Sequence, residues 1–184
     1  MSTDLTSDLS GTYAIDPAHS RIGFVARHAM ITKVRGSFDE FEGSGTFDAD
    51  HPENSNLQLT IKTNSIDTRN RDRDAHLRSN DFFDMEKYPE ITFTSTGVQR
   101  VDDTTFDLTG DLMVKDTTRP ITVRFEYTGS AVDPFGNHRI GLEGSTTINR
   151  KDWGVNWNAM LEAGGLLVSE KVDLEFEVSA IKSV

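Results

Sequence analysis

Five histidines (His19, His28, His51, His76 and His138), a run of arginines and a large stock of carboxylates are the side chains that could move protons or hold ions. Their spacing supports little chemistry. No histidine pair has the H-E-x-x-H spacing that puts two metal ligands on one helical face. The absence of cysteine excludes thiolate nucleophiles, disulfides and cysteine-held zinc or iron–sulfur centres. There is no nucleophile elbow, phosphate loop or dinucleotide fingerprint, and Gly43-Ser44-Gly45 has no helix after it. No catalytic residue, metal or cofactor is assigned. What stands out is a cluster of Arg69, Arg71, Arg73 and Arg78 around His76 in an acidic chain. A guanidinium fork binds carboxylate or phosphate at two points, so Arg73, His76 and Arg78 are candidates to hold a ligand's polar head. The alternative is internal pairing with Asp67, Asp72, Asp74 and Asp84.

The elements that must position such groups are strands. Val172, Leu174, Phe176, Val178 and Ala180 alternate with Asp173, Glu175, Glu177 and Ser179, giving one apolar and one wet face. The same alternation runs through Ile22–Phe24–Ala26, Leu57–Leu59–Ile61, Ile91–Phe93, Phe106–Leu108–Leu112–Val114, Ile121–Val123–Phe125–Tyr127 and Ile140–Leu142–Ile148. Turn residues separate the runs at 48–54, 116–120 and 133–137. About eight one-face-apolar strands on short connections form an antiparallel meander, and closing it on itself removes the unpaired edges. The expected fold is all-β, an up-and-down barrel. Helical composition over Asp67–Glu86 and an aromatic stretch over Trp153–Leu167 read as short elements covering the ends, one or two of them helical.

Gly43, Gly45, Gly97, Gly110 and Gly144 fall where bulky inward residues are expected. They read as bending points, as openings for a small ligand, or as both at once. His28 continues the inward parity of Ile22, Phe24 and Ala26, as a satisfied core histidine or a ligand contact.

Composition narrows the function classes. The chain of 184 residues is one domain by size, with residues 1–10 read as a polar tail and 11–184 as the folded unit. A formal net charge of -11 opposes nucleic-acid binding unless a local basic patch wins, and likewise disfavours docking of the surface as a whole on anionic lipid. No apolar run reaches the roughly 20 residues of a membrane-spanning helix, so stable membrane insertion is not expected. The polar start carries no secretory leader, which predicts a cytoplasmic protein.

Several motifs taken in order resemble the YceI-like family of lipocalin-like lipid-binding proteins. They are Tyr13-Ala14-Ile15-Asp16-Pro17 with Phe24 and Arg27-His28, then Gly36-Ser37-Phe38 with Phe41 and Gly43. Arg73-Asp74-Ala75-His76-Leu77, Asp81-Phe82-Phe83-Asp84 and Tyr88-Pro89-Glu90-Ile91-Thr92-Phe93 follow, then Gly110-Asp111-Leu112 and Ile148-Asn149-Arg150-Lys151-Asp152-Trp153-Gly154. The resemblance implies an extended eight-stranded antiparallel barrel and an apolar pore for long-chain polyisoprenoids or isoprenoid quinones. It also implies a tendency to form homodimers. On that reading Ile22, Phe24, His28, Phe38, Phe82, Phe83, Phe93, Leu112, Phe125, Ile148 and Trp153 face the ligand's tail. The expected function is carriage or sequestration of such a lipid, not catalysis. Two alternatives stay open: an enzyme using His28 or His76 as acid–base in the same lumen, and a structural or stress protein whose barrel its own side chains fill.

Overall fold

A computed structural model describes residues 7–162 and 165–183. Eleven strands form one sheet that closes into an eight-stave antiparallel ring. The first stave is β1 (Gly11–Ile15) and β2 (Arg21–His28), interrupted at Pro17–His19. The second is β3 (Thr32–Phe38) and β4 (Phe41–Phe47), interrupted at Asp39–Glu40. β5 (Asn56–Lys62) is extended by the two-residue β6 (Ile66–Asp67). Then come β7 (Glu90–Arg100), β8 (Thr105–Val114), β9 (Thr117–Val132), β10 (His138–Asn149) and β11 (Lys171–Lys182). Each stave pairs with the next in sequence. β11 closes the ring, pairing with β1 through Ile15–Ala180 and with β2 through Phe24–Leu174.

The alternation read from the sequence sets the inside and the outside. Along β8, Phe106, Leu108, Gly110, Leu112 and Val114 are buried; along β9, Val123, Phe125, Tyr127 and Gly129 are. Opposed outward residues pair across the ladder: Arg124 grips Asp107 through Nε (2.9 Å) and Nη2 (3.1 Å).

Three local features differ from expectation. The link at 116–120 is a two-residue turn, Lys115–Asp116, with both residues at positive φ (53° and 59°). Pro120 therefore lies inside β9. Its missing N–H is tolerated because β10 pairs with β9 only from Arg124 onward, leaving that stretch with β8 on one side alone. The helix is short, Arg71–Arg78, capped by the Asn70 side chain accepting from Arg73 N. Within it Asp74, offered as a partner for the arginines, instead accepts from Thr68 N and Oγ1, and His76 meets Asp81. Residues 1–6 of the expected tail lie outside the described residues. Ser7–Leu9 is a turn of 3-10 helix against the barrel, where Leu9 O accepts from the Tyr13 hydroxyl at 2.7 Å.

The break in the first stave is held by polar substitutes for the ladder. The Ser20 hydroxyl both donates to Ser179 O and accepts from Ser179 N. Arg139 on β10 bridges Asp16 and Asp133, at 2.8 Å each.

Candidate functional site

Inside the ring is a cavity of about 180 Å³ whose surface is apolar throughout. Its walls are inward positions of the staves, among them Leu59, Ile61, Ile91, Val123 and Leu174. Two elements cover its end. One is the helix with its following turns, contributing Leu77, Phe82 and Phe83; the other is the segment after β10, contributing Trp153, Val155 and Val168. The β9–β10 ladder stops at Arg124–Ser145, while β10 stays paired with β11 as far as Asn149–Lys171. Arg150–Trp153, a 3-10 turn, packs against β9 beyond that point, and the buried Trp153 indole donates to Leu112 O at 2.8 Å.

Ten of the eleven expected tail contacts line this cavity: Ile22, Phe24, Phe38, Phe82, Phe83, Phe93, Leu112, Phe125, Ile148 and Trp153. His28 does not. It is the last residue of β2, exposed, and bridged through its backbone to Val168, so inward parity has run out where the barrel wall ends.

The expected head-end group is also reassigned. Arg73 donates to Thr68 Oγ1 (2.7 Å) and Thr68 O (2.6 Å), and Arg78 donates to Asn64 O (3.0 Å) and Ile66 O (3.1 Å). Arg78 binds backbone of the β5–β6 segment and Arg73 binds Thr68, the residue after β6, so both fasten the helix to that strand. His76 sits edge-on to Phe82 and Trp157, with ring centroids 5.1 and 4.6 Å away, and its Nε2 is 2.8 Å from Asp81 Oδ2. It joins the two covering elements and does not line the cavity.

The residue that sequence reasoning missed is Arg150. It is 6 % exposed, and its guanidinium donates to Ser169 O (2.9 Å), Val155 O (2.7 Å) and Val168 O (3.4 Å). These carbonyls lie on both arms of the covering segment, which Arg150 draws together. Asn158 adds a second clip, donating to Val168 O and accepting from Val168 N. Burial works against the Arg150 charge and lowers its pKa from the ordinary value. The available signal was parity: Arg150 follows Leu142, Gly144 and Ile148 on the inward face.

Three glycines make room in a way the single-strand pattern does not display. A Cβ on Gly36 would meet the Phe24 ring at 2.3 Å, on Gly110 the Phe93 ring at 2.4 Å, and on Gly144 the Phe125 ring at 2.5 Å. Each ring lies down over a glycine of the neighbouring strand, and the middle of the barrel stays open as a result. Gly97 is not inward; it sits exposed at the β7–β8 bulge.

A second apolar chamber of about 130 Å³ lies toward the other end. Ile15, Leu57, Phe125 and Val178 form walls of both chambers. Tyr13 and Tyr127 line the far chamber, and burial together with the neighbouring Tyr127 raises the Tyr13 phenol above its ordinary range. Among the described residues no group of three or more His, Asp or Glu is placed to hold a metal ion, and no helix is long and apolar enough to cross a membrane.

The YceI-like domain family matches residues 13–180. A UPF0312 protein of Pseudomonas aeruginosa is 37% identical over 176 residues, covering 95% of this chain and 88% of that protein. One from Photorhabdus laumondii is 37% identical over 179 residues, covering 96% and 90%. Among solved structures, the Campylobacter jejuni YceI protein superposes with a TM-score of 0.74 at 30% identity, covering 86% of this chain and 90% of that one. Burkholderia cenocepacia BcnA gives 0.79 at 22% identity, over 90% and 98%. A polyisoprenoid binding domain from Saccharophagus degradans gives 0.69 at 19%, over 93% and 98%; these last two likenesses concern the fold.

Proposed function

The chain belongs to the YceI-like domain family, and from that premise we propose that it binds a long-chain amphiphilic lipid of the polyisoprenoid type in its lumen, as a carrier or sequestering protein. The observation that carries this reading is a two-chambered, apolar interior inside a barrel whose outer face is charged. Burying apolar surface is worth roughly 25 cal/mol per Å², so each isoprene unit placed inside contributes more than about 1 kcal/mol before association costs. The structural likeness to the polyisoprenoid binding domain from Saccharophagus degradans supports the same ligand class. Neither histidine of the enzyme alternative lines the cavity: His28 is outside it, and His76 sits edge-on to rings of both covers.

The volumes put a condition on this reading. An apolar cavity of about 150 Å³ holds one benzene, so each chamber in its present form accepts on the order of one isoprene unit. A long tail must therefore push aside side chains that now occupy the lumen. The same volumes favour a second reading, a structural barrel filled by its own side chains.

Native mass spectrometry of freshly purified protein, followed by solvent extraction, tests the choice. A co-purified, extractable species of polyprenyl mass supports the carrier. Apo protein that also fails to take up added polyprenol or isoprenoid quinone overturns it and favours the filled barrel.

A further inference from the structure

The β2–β3 turn is unlike the rest of the surface. Ala29 and Met30 occupy its centre with φ of 53° and 60°, and Ile31 N donates to His28 O at 3.0 Å. This left-handed geometry favours glycine or asparagine, and neither is present. Met30 and Ile31 are 59% and 78% exposed. Scattered exposed apolar residues need no explanation, but two in succession on a strained tip are different.

Beneath the tip is a cationic collar. Arg27 faces Lys33 directly across the ladder, and Arg35 lies two residues further on, opposite Val25. All three are exposed and none has a carboxylate partner among the described residues. Like charges facing each other across a ladder cost stability, and no carboxylate offsets them here; Arg27 Nη1 donates only to Ile31 O, at 3.4 Å. The nearby carboxylates are engaged elsewhere, Asp173 with Thr147 and Glu170 with Lys151, except Glu162 on the covering segment. In a chain of net charge -11, such a patch is a local reversal of sign.

The tip also adjoins the cavity cover. Ala29 N donates to Leu167 O at 2.7 Å, Leu167 N to Ala159 O at 2.9 Å, and beside Ala159 lies Met160, 83% exposed. Val168, next to Leu167, and Ala26, three residues before Ala29, line the cavity.

We propose that the β2–β3 turn docks this end of the barrel on an anionic phospholipid surface, with Met30 and Ile31 as the apolar tip and Arg27, Lys33 and Arg35 as the collar. Charge complementarity selects the partner: unpaired cations around a small apolar tip suit a negatively charged interface and reversible, salt-sensitive binding. Docking does not require that the lumen carry lipid.

Co-sedimentation of the full chain with vesicles of phosphatidylcholine, alone or mixed with phosphatidylglycerol, tests this. Binding is expected only to the mixed vesicles, weakening as salt rises. Lys33→Gln and Arg35→Gln should each weaken it by about fivefold, and Ile31→Ser should weaken it while leaving the salt dependence unchanged. Arg100→Gln, an equal change of net charge at the opposite end, should leave binding to the mixed vesicles unweakened. Equal loss in that control, indifference to Ile31→Ser in a folded variant, equal binding to both vesicle types or no binding to either would overturn the proposal. Pelleting reads docking whether the lumen is loaded or empty, so its failure and that of the carrier reading are separable.

Discussion

Gly144→Ala should test the arrangement of rings over glycines. Gly144 pairs directly with Phe125 across the β9–β10 ladder, and its added methyl would stand 2.5 Å from Cδ1 and 2.6 Å from Cε1 of the ring. Ordinary contact begins near 3.4 Å, so the ring must withdraw by roughly an ångström. The backbone is not at issue, because Gly144 is not at positive φ. The ring can retreat only inward, toward the wall it shares between the two chambers and toward Phe176, whose centroid is 5.8 Å away. Overpacking of this kind costs about 1–3 kcal/mol, or roughly 2–12 °C in melting temperature for a chain of this size. Thermal unfolding of the delipidated protein measures it. Gly97→Ala, where a Cβ meets nothing within 4 Å, is the control and should stay within about 0.5 kcal/mol. Adding Phe125→Leu to Gly144→Ala should recover stability relative to the sum of the single changes. A Gly144→Ala protein as stable as the parent, or additive behaviour with Phe125→Leu, would refute the packing argument. On the carrier reading, the displaced ring also narrows the shared wall and reduces the extractable lipid per protein.

Arg150→Met should destabilise the fold by about 3–5 kcal/mol in urea, because it strands the buried carbonyls of Ser169 and Val155; a loss under about 1 kcal/mol would show that the covering segment holds itself. Met30→Gly should stabilise by about 0.5–1 kcal/mol by relieving a left-handed methionine, and equilibrium unfolding checks the sign. Arg139 holds the Asp16 and Asp133 carboxyls below their ordinary range, so their contribution is present above about pH 4 and is lost as pH falls through the lowered values. With Arg139→Gln both carboxyls should titrate nearer the ordinary value by NMR, and the stability difference from the parent should shrink in acid.

Strand parity carried much of this structure. The alternation from Ile121 to Tyr127 and from Val172 to Ala180 determined which side chains meet in the middle, and ten cavity residues followed from it or from the family motifs. Parity failed where strands end. His28 kept its phase in the sequence but lost its wall, and Arg150 kept both and was overlooked because a buried cation is uncommon. The anchoring role of the helix arginines was hidden for another reason. Their partners are the backbone carbonyls of Asn64, Ile66 and Thr68, and a carbonyl has no residue type to read. The rings over glycines were out of reach because they depend on cross-strand register, which single-strand patterns leave open.

Closure by β11 has a consequence in time. Hairpins such as β7–β8, β8–β9 and β9–β10 join neighbours in sequence and can zip as the chain emerges. The seam cannot: Ser20 and Ser179, which meet there, are 159 residues apart. Contacts of such separation form late. Until β11 arrives, β10 and the first stave are open edges, and the future interior faces water along its whole length. During synthesis the molecule is a groove, entered from the side, and it becomes a cavity only with its last strand.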